Sequence, residues 1–247
     1  LKLSEKDSHG VFLESVEGGE SLGRWSIVAT KPLWEAVCYG KEIVKTWNNG
    51  KTEIYKGNPF NILRTWTKKY KSSMLDELPS IGQLYGSWGY ELINQIEPNV
   101  PINKNKENEI PYGSWMFFDQ IVIFDQLKRC ITAVVYADIS GAEGSSIEKI
   151  YQDCICKINK IRDLMRVPLK EEQFLNWKDN KDLNIGISSN WNKKEFEDAV
   201  LKAKEYITKG DIFQIVISQR FKSEVNSHPF DLYRSLRMVN PSPYMAF

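Results

Sequence analysis

The chain has 247 residues, of which 42% are hydrophobic and 26% are charged, and its formal net charge is +1. A chain of this length and composition is globular, can bury a sizeable core and forms one large domain or two small ones. The balanced charge, without a stripe of Lys and Arg, argues against a nucleic-acid-binding protein, and the apolar runs are too short for a membrane span.

The cysteines and histidines bear on metal binding and on the redox environment. Four cysteines without a C-x-x-C pair, together with two histidines, argue against a zinc cluster. The same cysteine usage favours a reducing compartment and hence a cytoplasmic protein. The chain begins at Leu1 without a signal peptide and stops at Phe247 without a terminal signal, so we interpret it as a fragment of a longer polypeptide.

Alternating patterns predict a β-rich N-terminal region. Strands are predicted at residues 11–16, 24–29, 33–39, 41–47 and 52–56. A Gly18-Gly19 turn joins the first two strands, and Asn48-Asn49-Gly50-Lys51 joins the last two, where Asn-Gly favours a tight primed turn. Asn58-Pro59 then predicts the first turn of a helix that continues to about residue 70. Its apolar face consists of Phe60, Leu63 and Trp66.

The middle of the chain is predicted to combine strands with one long helix. Gly86 and Gly89, set among aromatic residues in a predicted strand at 81–91, indicate that another backbone approaches closely. Residues 94–111 are predicted to form a surface loop. Further strands are predicted at 114–124 and 131–136, on either side of a turn at 125–128. Ser145 and Glu148 have the spacing of a capping box for a helix that continues to about residue 165.

The C-terminal part begins with a polar, irregular stretch at 166–188, which we predict to be a linker. A helix at 193–209 follows, with Gly210 as its C-terminal glycine. Its apolar stripe is predicted to be Phe196, Val200, Ala203 and Ile207. A short helix is predicted at 229–238 and ends before Asn240-Pro241-Ser242-Pro243.

The stretch from Ile212 to Phe221 alternates with a period of two and predicts a strand. One face would carry Phe213, Ile215, Ile217 and Phe221 toward a core. The other face carries Gln214, Ser218 and Arg220, which are costly to bury against hydrocarbon and are typical of the wall of a polar cleft. A solvated face of an antiparallel strand is the structural alternative.

Four patches of sequence carry a resemblance to a known family. Gly210-Asp211-Ile212-Phe213-Gln214, continued by Ser218-Gln219-Arg220, resembles the GDIFQ-x-V-x-SQR stretch of anthranilate synthase large subunits. Phe12-Leu13-Glu14-Ser15 resembles their LLES strand, and Gly23-Arg24-Trp25-Ser26-Ile27 resembles the GRYSF continuation. The fourth patch is residues 229–245, in which 229–237 resemble PFDLYRALR and 240–245 resemble NPSPYM. The patches occur in the family's order and extend over nearly the whole chain.

The resemblance implies a fold and an activity. The fold is α+β, with antiparallel β-sheets packed together and flanked by helices, cut off at the C-terminus in this chain. The implied reaction joins chorismate and ammonia to give anthranilate and pyruvate in tryptophan biosynthesis, with ammonia supplied by a glutamine amidotransferase subunit in a heterotetramer. The implied location is the cytoplasm, or the plastid stroma in a plant or alga. Neither a nucleic acid nor a membrane is an expected partner.

The resemblance also implies a division of the chain and a regulatory site. Residues 1–165 would form a tryptophan-binding regulatory region, 166–188 a linker, and 189–247 the start of the chorismate-binding catalytic domain. In this family the LLES strand and the NPSPYM segment form a pocket for L-tryptophan as feedback inhibitor. The residues that match are Glu14, Ser15, Trp25, Pro243, Tyr244 and Met245. Solvated edge positions and ordinary packing are the structural alternatives for these residues.

Gln214 matches the position at which related enzymes that add water to chorismate carry a lysine base. A glutamine amide cannot take up a proton near neutral pH, so Gln214 favours an enzyme that uses ammonia as its nucleophile. The Mg²⁺ ligands and the chorismate-binding residues are expected beyond Phe247, and the chain alone is expected to be inactive. Aminodeoxychorismate synthase and a non-catalytic tryptophan-binding module remain alternatives.

Overall fold

The computed structural model describes residues 9–15, 23–70, 77–79, 81–101, 110–169, 186–225 and 227–247. The strands in these residues are β1 (Gly10–Glu14), β2 (Trp25–Thr30), β3 (Trp34–Tyr39), β4 (Glu42–Trp47), β5 (Thr52–Lys56), β6 (Leu84–Trp88), β7 (Gly113–Phe117), β8 (Gln120–Asp125), β9 (Cys130–Val135), β10 (Ser188–Ser189), β11 (Phe221–Lys222) and β12 (Met245–Ala246). The helices are α1 (Pro59–Thr67), α2 (Ser145–Arg166), α3 (Lys193–Lys209) and α4 (Pro229–Val239), with a 3₁₀-helix at Tyr90–Gln95.

The chain divides into two compact units. Residues 1–174 and 233–247 form the first unit, and residues 175–232 form the second. The first unit contains two antiparallel five-stranded sheets, with the strand orders β12-β1-β2-β8-β9 (the first sheet) and β5-β4-β3-β7-β6 (the second sheet). The second unit contains α3 and the short β10–β11 pair.

Two apolar clusters place the sheets against each other and against a helix. The outer cluster lies under α1, where Leu63 and Trp66 pack on Trp34 and Trp115 of the second sheet. The inner cluster combines Ala29, Phe118, Ile121 and Ile123 with side chains from both sheets, among them Ile27 and Tyr85. Sheets that share a core in this way form a sandwich. The predicted α+β fold with packed antiparallel sheets and flanking helices is confirmed.

The hairpin of β4 and β5 is confirmed, but its predicted primed turn is wrong. The amide of Gly50 donates to the carbonyl of Trp47 at 2.9 Å, and that of Trp47 donates to Lys51 at 2.8 Å. Gly50 has a φ of +83°, whereas Asn48 and Asn49 do not have positive φ. A type I′ turn needs positive φ at both central residues. The loop is therefore a three-residue turn in which only glycine takes the left-handed conformation.

The single strand predicted at 114–124 is two strands that belong to different sheets. β7 pairs with β3 and β6, and β8 pairs with β2 and β9. The change occurs at Phe118 and Asp119, where the amide of Phe118 donates to the carbonyl of Gln83 at 2.9 Å. Phe118 is fully buried between the sheets. A continuous apolar pattern cannot reveal such a crossover, because both halves are buried.

Glycine positions and helix ends give mixed outcomes. A Cβ built on Gly86 would lie 2.5 Å from the Trp115 side chain and 2.8 Å from its Cα, so the predicted close backbone approach is confirmed.

Gly210 caps α3 with φ +79°, as predicted. The capping box predicted at Ser145 is wrong: α2 already includes Ser145, and its N-cap is Gly144 without a side-chain cap. A serine in helical conformation cannot act as N-cap.

The strand predicted from Ile212 to Phe221 is not formed over most of its length. In the described residues from 212 to 222, strand pairing is confined to Phe221 and Lys222, which pair with Ser189 and Ser188 of β10. Phe213 is 93% exposed, so its predicted place in a core is also wrong. An alternating pattern produces a strand only where a neighbouring strand offers a ladder of hydrogen bonds. In the described part of this unit, residues 212–220 have no such ladder, and the Arg220 carbonyl accepts a single backbone bond from Asn190 at 3.3 Å.

Some of the predicted features fall on residues that the structure does not describe. The Gly18-Gly19 turn and residues 102–109 and 170–185, which include most of the predicted loop and linker, lie outside the described residues. None of the helices in the described part of the chain has the length and apolarity needed to cross a membrane.

Candidate functional site

The two ends of the first unit meet in the first sheet. β12 pairs antiparallel with β1, with Leu13 opposite Ala246 and Glu14 opposite Met245. Phe12 and Phe247 exchange two backbone hydrogen bonds of 2.8 Å. The structure thereby brings together the two segments that resemble LLES and NPSPYM. We call this place, comprising Glu14, Ser15 and Pro243–Ala246, the β1–β12 junction.

Glu14 is a buried carboxylate, with 7% of its surface exposed. The Tyr233 hydroxyl donates to its Oε1 at 2.8 Å, and Arg237 Nε lies 2.8 Å from the same oxygen. Burial, and next the hydrogen bond to Glu14, raise the pKa of Tyr233 far above its usual value. Glu14 is therefore engaged by two residues of α4.

Tyr233 and Arg237 were missed by sequence reasoning, although a signal for them existed. They are four residues apart, so they lie on one face of α4. A glutamate inside an apolar strand needs donors when it is buried, and the α4 sequence PFDLYRSLRMV offers a hydroxyl and a guanidinium at that spacing.

Ser15 and the residues of the NPSPYM segment form the more open end of the junction. The Ser15 hydroxyl donates to the carbonyl of Pro243 at 2.6 Å. Because the hydroxyl uses its only proton there, its lone pairs are left to accept from another donor. Met245 is buried, whereas Pro243 is exposed and Tyr244 is 78% exposed. The arrangement offers acceptor oxygens beside an apolar surface.

Trp25 lies apart from Glu14. Glu14 is opposite Ser26 in the β1–β2 pair, so these two side chains share one face of the sheet. Trp25 precedes Ser26 and faces the other way, into the inner cluster between the sheets. The Arg24 guanidinium stacks over Trp25, 4.3 Å from the ring centroid. The structure thus groups Glu14 with Met245, but not with Trp25.

Arg24 also forms a two-bond ion pair with Asp125 of β8. Arg24 Nε and Nη2 donate to the two carboxylate oxygens at 3.1 and 2.8 Å. The hydrogen bond from Arg24 is the main reason that the pKa of Asp125 is lowered to about 2. The backbone amides of Leu127 and Lys128 also donate to this carboxylate and shape the turn after β8. This pair ties the residue before β2 to the last residue of β8.

Gln214 is exposed in the second unit, in the stretch that does not form a strand. The later part of this stretch is fixed to the residues before α3. The Arg220 amide donates to Asn190 Oδ1 at 2.7 Å, and Trp191 Nε1 donates to the Ser218 carbonyl at 3.0 Å. These contacts fix the backbone from Ser218 to Arg220.

The resemblance implies Mg²⁺ ligands beyond Phe247. In the described residues, His, Cys, Asp and Glu side chains do not form a cluster of three or more that would hold a metal ion. We therefore assign no metal ligand among the described residues and derive no step through the metal.

Comparison with known proteins gives a consistent set of relatives. A family model described as chorismate binding enzyme matches residues 20–247. Anthranilate synthase component 1 of Synechocystis is 40% identical over the whole chain, and that of Acetivibrio thermocellus is 36% identical. The chain spans about half the length of these relatives, 49% and 50%. The crystal structure of anthranilate synthase component I from Streptococcus pneumoniae matches 97% of this chain and 50% of its own, with 27% identity and a TM-score of 0.68.

Proposed function

This chain belongs to the chorismate-binding enzymes, and on that premise we propose that it is the N-terminal part of an anthranilate synthase large subunit. The observation that carries the proposal is the 40% identity to a protein of that name over the whole length of the chain. The reaction would convert chorismate and ammonia to anthranilate, pyruvate and water. A glutamine amidotransferase partner would supply the ammonia.

The residue of this chain that we assign to the reaction is Gln214. Ammonia carries its own nucleophilic lone pair, so the attack on C2 of chorismate does not need a base that activates water. A neutral amide in place of a lysine suits this chemistry, because it donates and accepts hydrogen bonds without taking up a proton. Mg²⁺ would supply positive charge for a carboxylate-rich substrate, and we expect its ligands beyond Phe247.

We also place feedback inhibition by L-tryptophan at the β1–β12 junction. A bound amino acid needs acceptors for its ammonium, donors for its carboxylate and an apolar surface for its indole. Ser15 Oγ and the Pro243 carbonyl supply acceptors, and backbone amides are the available donors. Pro243, Tyr244 and Met245 supply apolar surface. Trp25 lies on the face of the sheet opposite to Glu14 and Met245, so we assign it no contact with the part of the ligand that Met245 contacts.

The location that we propose is the cytoplasm, or the plastid stroma if the source is a plant or alga. The plastid alternative is supported by the names of two Arabidopsis relatives, which include the word chloroplastic.

The test uses the full-length protein with chorismate, Mg²⁺ and an ammonium salt, with and without L-tryptophan, and identifies the product. Anthranilate that disappears when L-tryptophan is added supports both parts of the proposal. Aminodeoxychorismate as product, formed equally with and without L-tryptophan, would assign the protein to folate precursor synthesis. Binding of L-tryptophan without any turnover would indicate a regulatory module.

A further inference from the structure

The contacts of Glu14 suggest a role that differs from ligand binding. A buried carboxylate is costly unless it is paired and hydrogen-bonded. Here the compensation comes from Tyr233 and Arg237, both on α4 and both directed at Oε1. Only 5% of the Glu14 side chain is exposed, whereas 46% of Arg237 is exposed. The Glu14 carboxylate is thus neutralised and hydrogen-bonded by side chains of the protein itself.

The same residues hold the β1–β12 junction from one side. The Tyr233 ring packs against Phe12 and Phe247, with centroid distances of 5.7 and 5.5 Å. Phe12 and Phe247 are the pair whose backbones exchange two hydrogen bonds. One tyrosine of α4 therefore contacts β1, the residue that follows β12 and the Glu14 carboxylate.

The position of Ser15 depends on this arrangement. Ser15 directly follows Glu14, and its hydroxyl donates to the Pro243 carbonyl. A shift of Glu14 along or away from α4 would move Ser15 relative to Pro243. Hydrogen bonds depend steeply on distance and angle. A small displacement would therefore disturb the arrangement of the two acceptors, Ser15 Oγ and the Pro243 carbonyl oxygen.

We propose that Glu14, Tyr233 and Arg237 form a buried latch between β1 and α4 that positions Ser15 and Pro243 for L-tryptophan. Glu14 is then a positioning residue whose carboxylate does not touch the ligand, and Tyr233 and Arg237 act through it. The ligand part rests on the proposed function, whereas the latch itself rests on the contacts among these three residues. Disruption of the latch would weaken the two backbone hydrogen bonds between Phe12 and Phe247.

The experiment measures two quantities in the full-length protein. The first is the dissociation constant for L-tryptophan by calorimetry, and the second is amide hydrogen exchange at Phe12 and Phe247 without ligand. The variants are Tyr233→Phe, Arg237→Met, Glu14→Gln and the double variant Glu14→Gln with Arg237→Gln. Tyr55→Phe is the matched control, because Tyr55 also donates to a glutamate, Glu53, at 2.6 Å, but in the second sheet.

We expect Tyr233→Phe and Arg237→Met to weaken L-tryptophan binding by roughly tenfold and to speed exchange at both amides. Tyr55→Phe should change neither quantity. The double variant should regain part of the affinity lost in Glu14→Gln, because two neutral amides can hydrogen-bond where an unpaired guanidinium would remain. If Glu14 contacted the ligand, the double variant would bind no better than Glu14→Gln, because Arg237→Gln could not restore the lost partner of the ligand's ammonium group.

The results separate the two proposals. A wild-type protein that does not bind L-tryptophan would overturn the inhibitor assignment, while faster exchange in the variants would still establish the latch. Unchanged exchange in both Tyr233→Phe and Arg237→Met would overturn the latch itself. Faster exchange with unchanged affinity would overturn the positioning role of these residues.

Discussion

The ammonium of Lys45 lies over the ring of Trp47, 4.2 Å from its centroid, in the cluster beneath α1. The rings of Trp34 and Trp66 lie 4.4 and 4.7 Å from the same atom. Lys45 is only 5% exposed. Burial lowers its pKa from the usual value of 10.5, although ring faces attract a cation and offset part of the desolvation. The lowered pKa indicates that the charged form is disfavoured in the folded protein.

We therefore expect Lys45→Met to raise the free energy of unfolding at pH 7 by about 1 kcal/mol, because an apolar side chain of similar length replaces a desolvated charge. The folded-state pKa lies below the unfolded one, so the unfolded chain binds more protons between the two values. The free energy of unfolding of the wild type thus rises with pH between the lowered pKa of Lys45 and about 10.5. The stability gain of Lys45→Met over the wild type should shrink over that pH range. Urea unfolding at several pH values measures this.

The control for this prediction is Lys56→Met, which changes an exposed lysine on the neighbouring strand β5. It should leave the free energy of unfolding nearly unchanged. A loss of stability in Lys45→Met would show that the attraction of the three rings outweighs the desolvation of the ammonium.

Asp125→Asn should lower the melting temperature by several degrees at neutral pH, because it removes the charge from the ion pair with Arg24. The pKa of Asp125 is about 2 in the folded protein against an ordinary 3.8. Its stabilising effect is complete above the unfolded value and is lost as pH falls from about 4 through about 2. The melting curves of variant and wild type should therefore converge in that range.

Asp163→Asn is the matched control for Asp125, since its contact with Arg162 is exposed and such pairs contribute little. A difference between Asp125→Asn and wild type that persists undiminished at pH 2 would contradict the electrostatic explanation.

Gly86→Ala should destabilise the protein by about 3 kcal/mol, because the new methyl group would overlap the backbone and side chain of the neighbouring strand β7. Gly82 offers a comparison two residues before β6. A Cβ there meets nothing within 4 Å, so Gly82→Ala should be neutral or slightly stabilising. Equal effects of the two substitutions on denaturant unfolding would refute the steric account.

The 247-residue chain alone should not convert chorismate and ammonia to anthranilate in the presence of Mg²⁺. The chain spans about half the length of its relatives, and its described residues do not form an acidic cluster for the metal. Fluorescence of the product is a sensitive measurement. Anthranilate above a protein-free blank would contradict this prediction and would place the catalytic groups within residues 1–247.

Local signals predicted local structure well. Asn58 caps α1 through hydrogen bonds to the amides of Phe60 and Asn61, and Pro59 occupies the first turn, as the sequence indicated. Gly210 ends α3 for the reason that only glycine adopts positive φ without strain. In these cases the residues that decide the outcome are neighbours along the chain.

Features that depend on distant residues could not be predicted in the same way. The apolar pattern at 114–124 is continuous, although Phe118 marks a change of sheet. The donors to Glu14 lie on a helix, and Tyr233 is 219 residues away in sequence. The opposite orientations of Glu14 and Trp25 follow only from the strand register. For Gln214, the pattern shows alternation but not whether a partner strand is available.

The pairing of β1 with β12 has a consequence for the order in which the first sheet is completed during synthesis. β1 leaves the ribosome before its neighbour β12, which follows only after residue 244 has been added. Until then β1 has β2 on one side and an open edge on the other, and open edges invite pairing with other chains. β1 is only five residues long and ends in a glutamate, and both features reduce that hazard while translation continues.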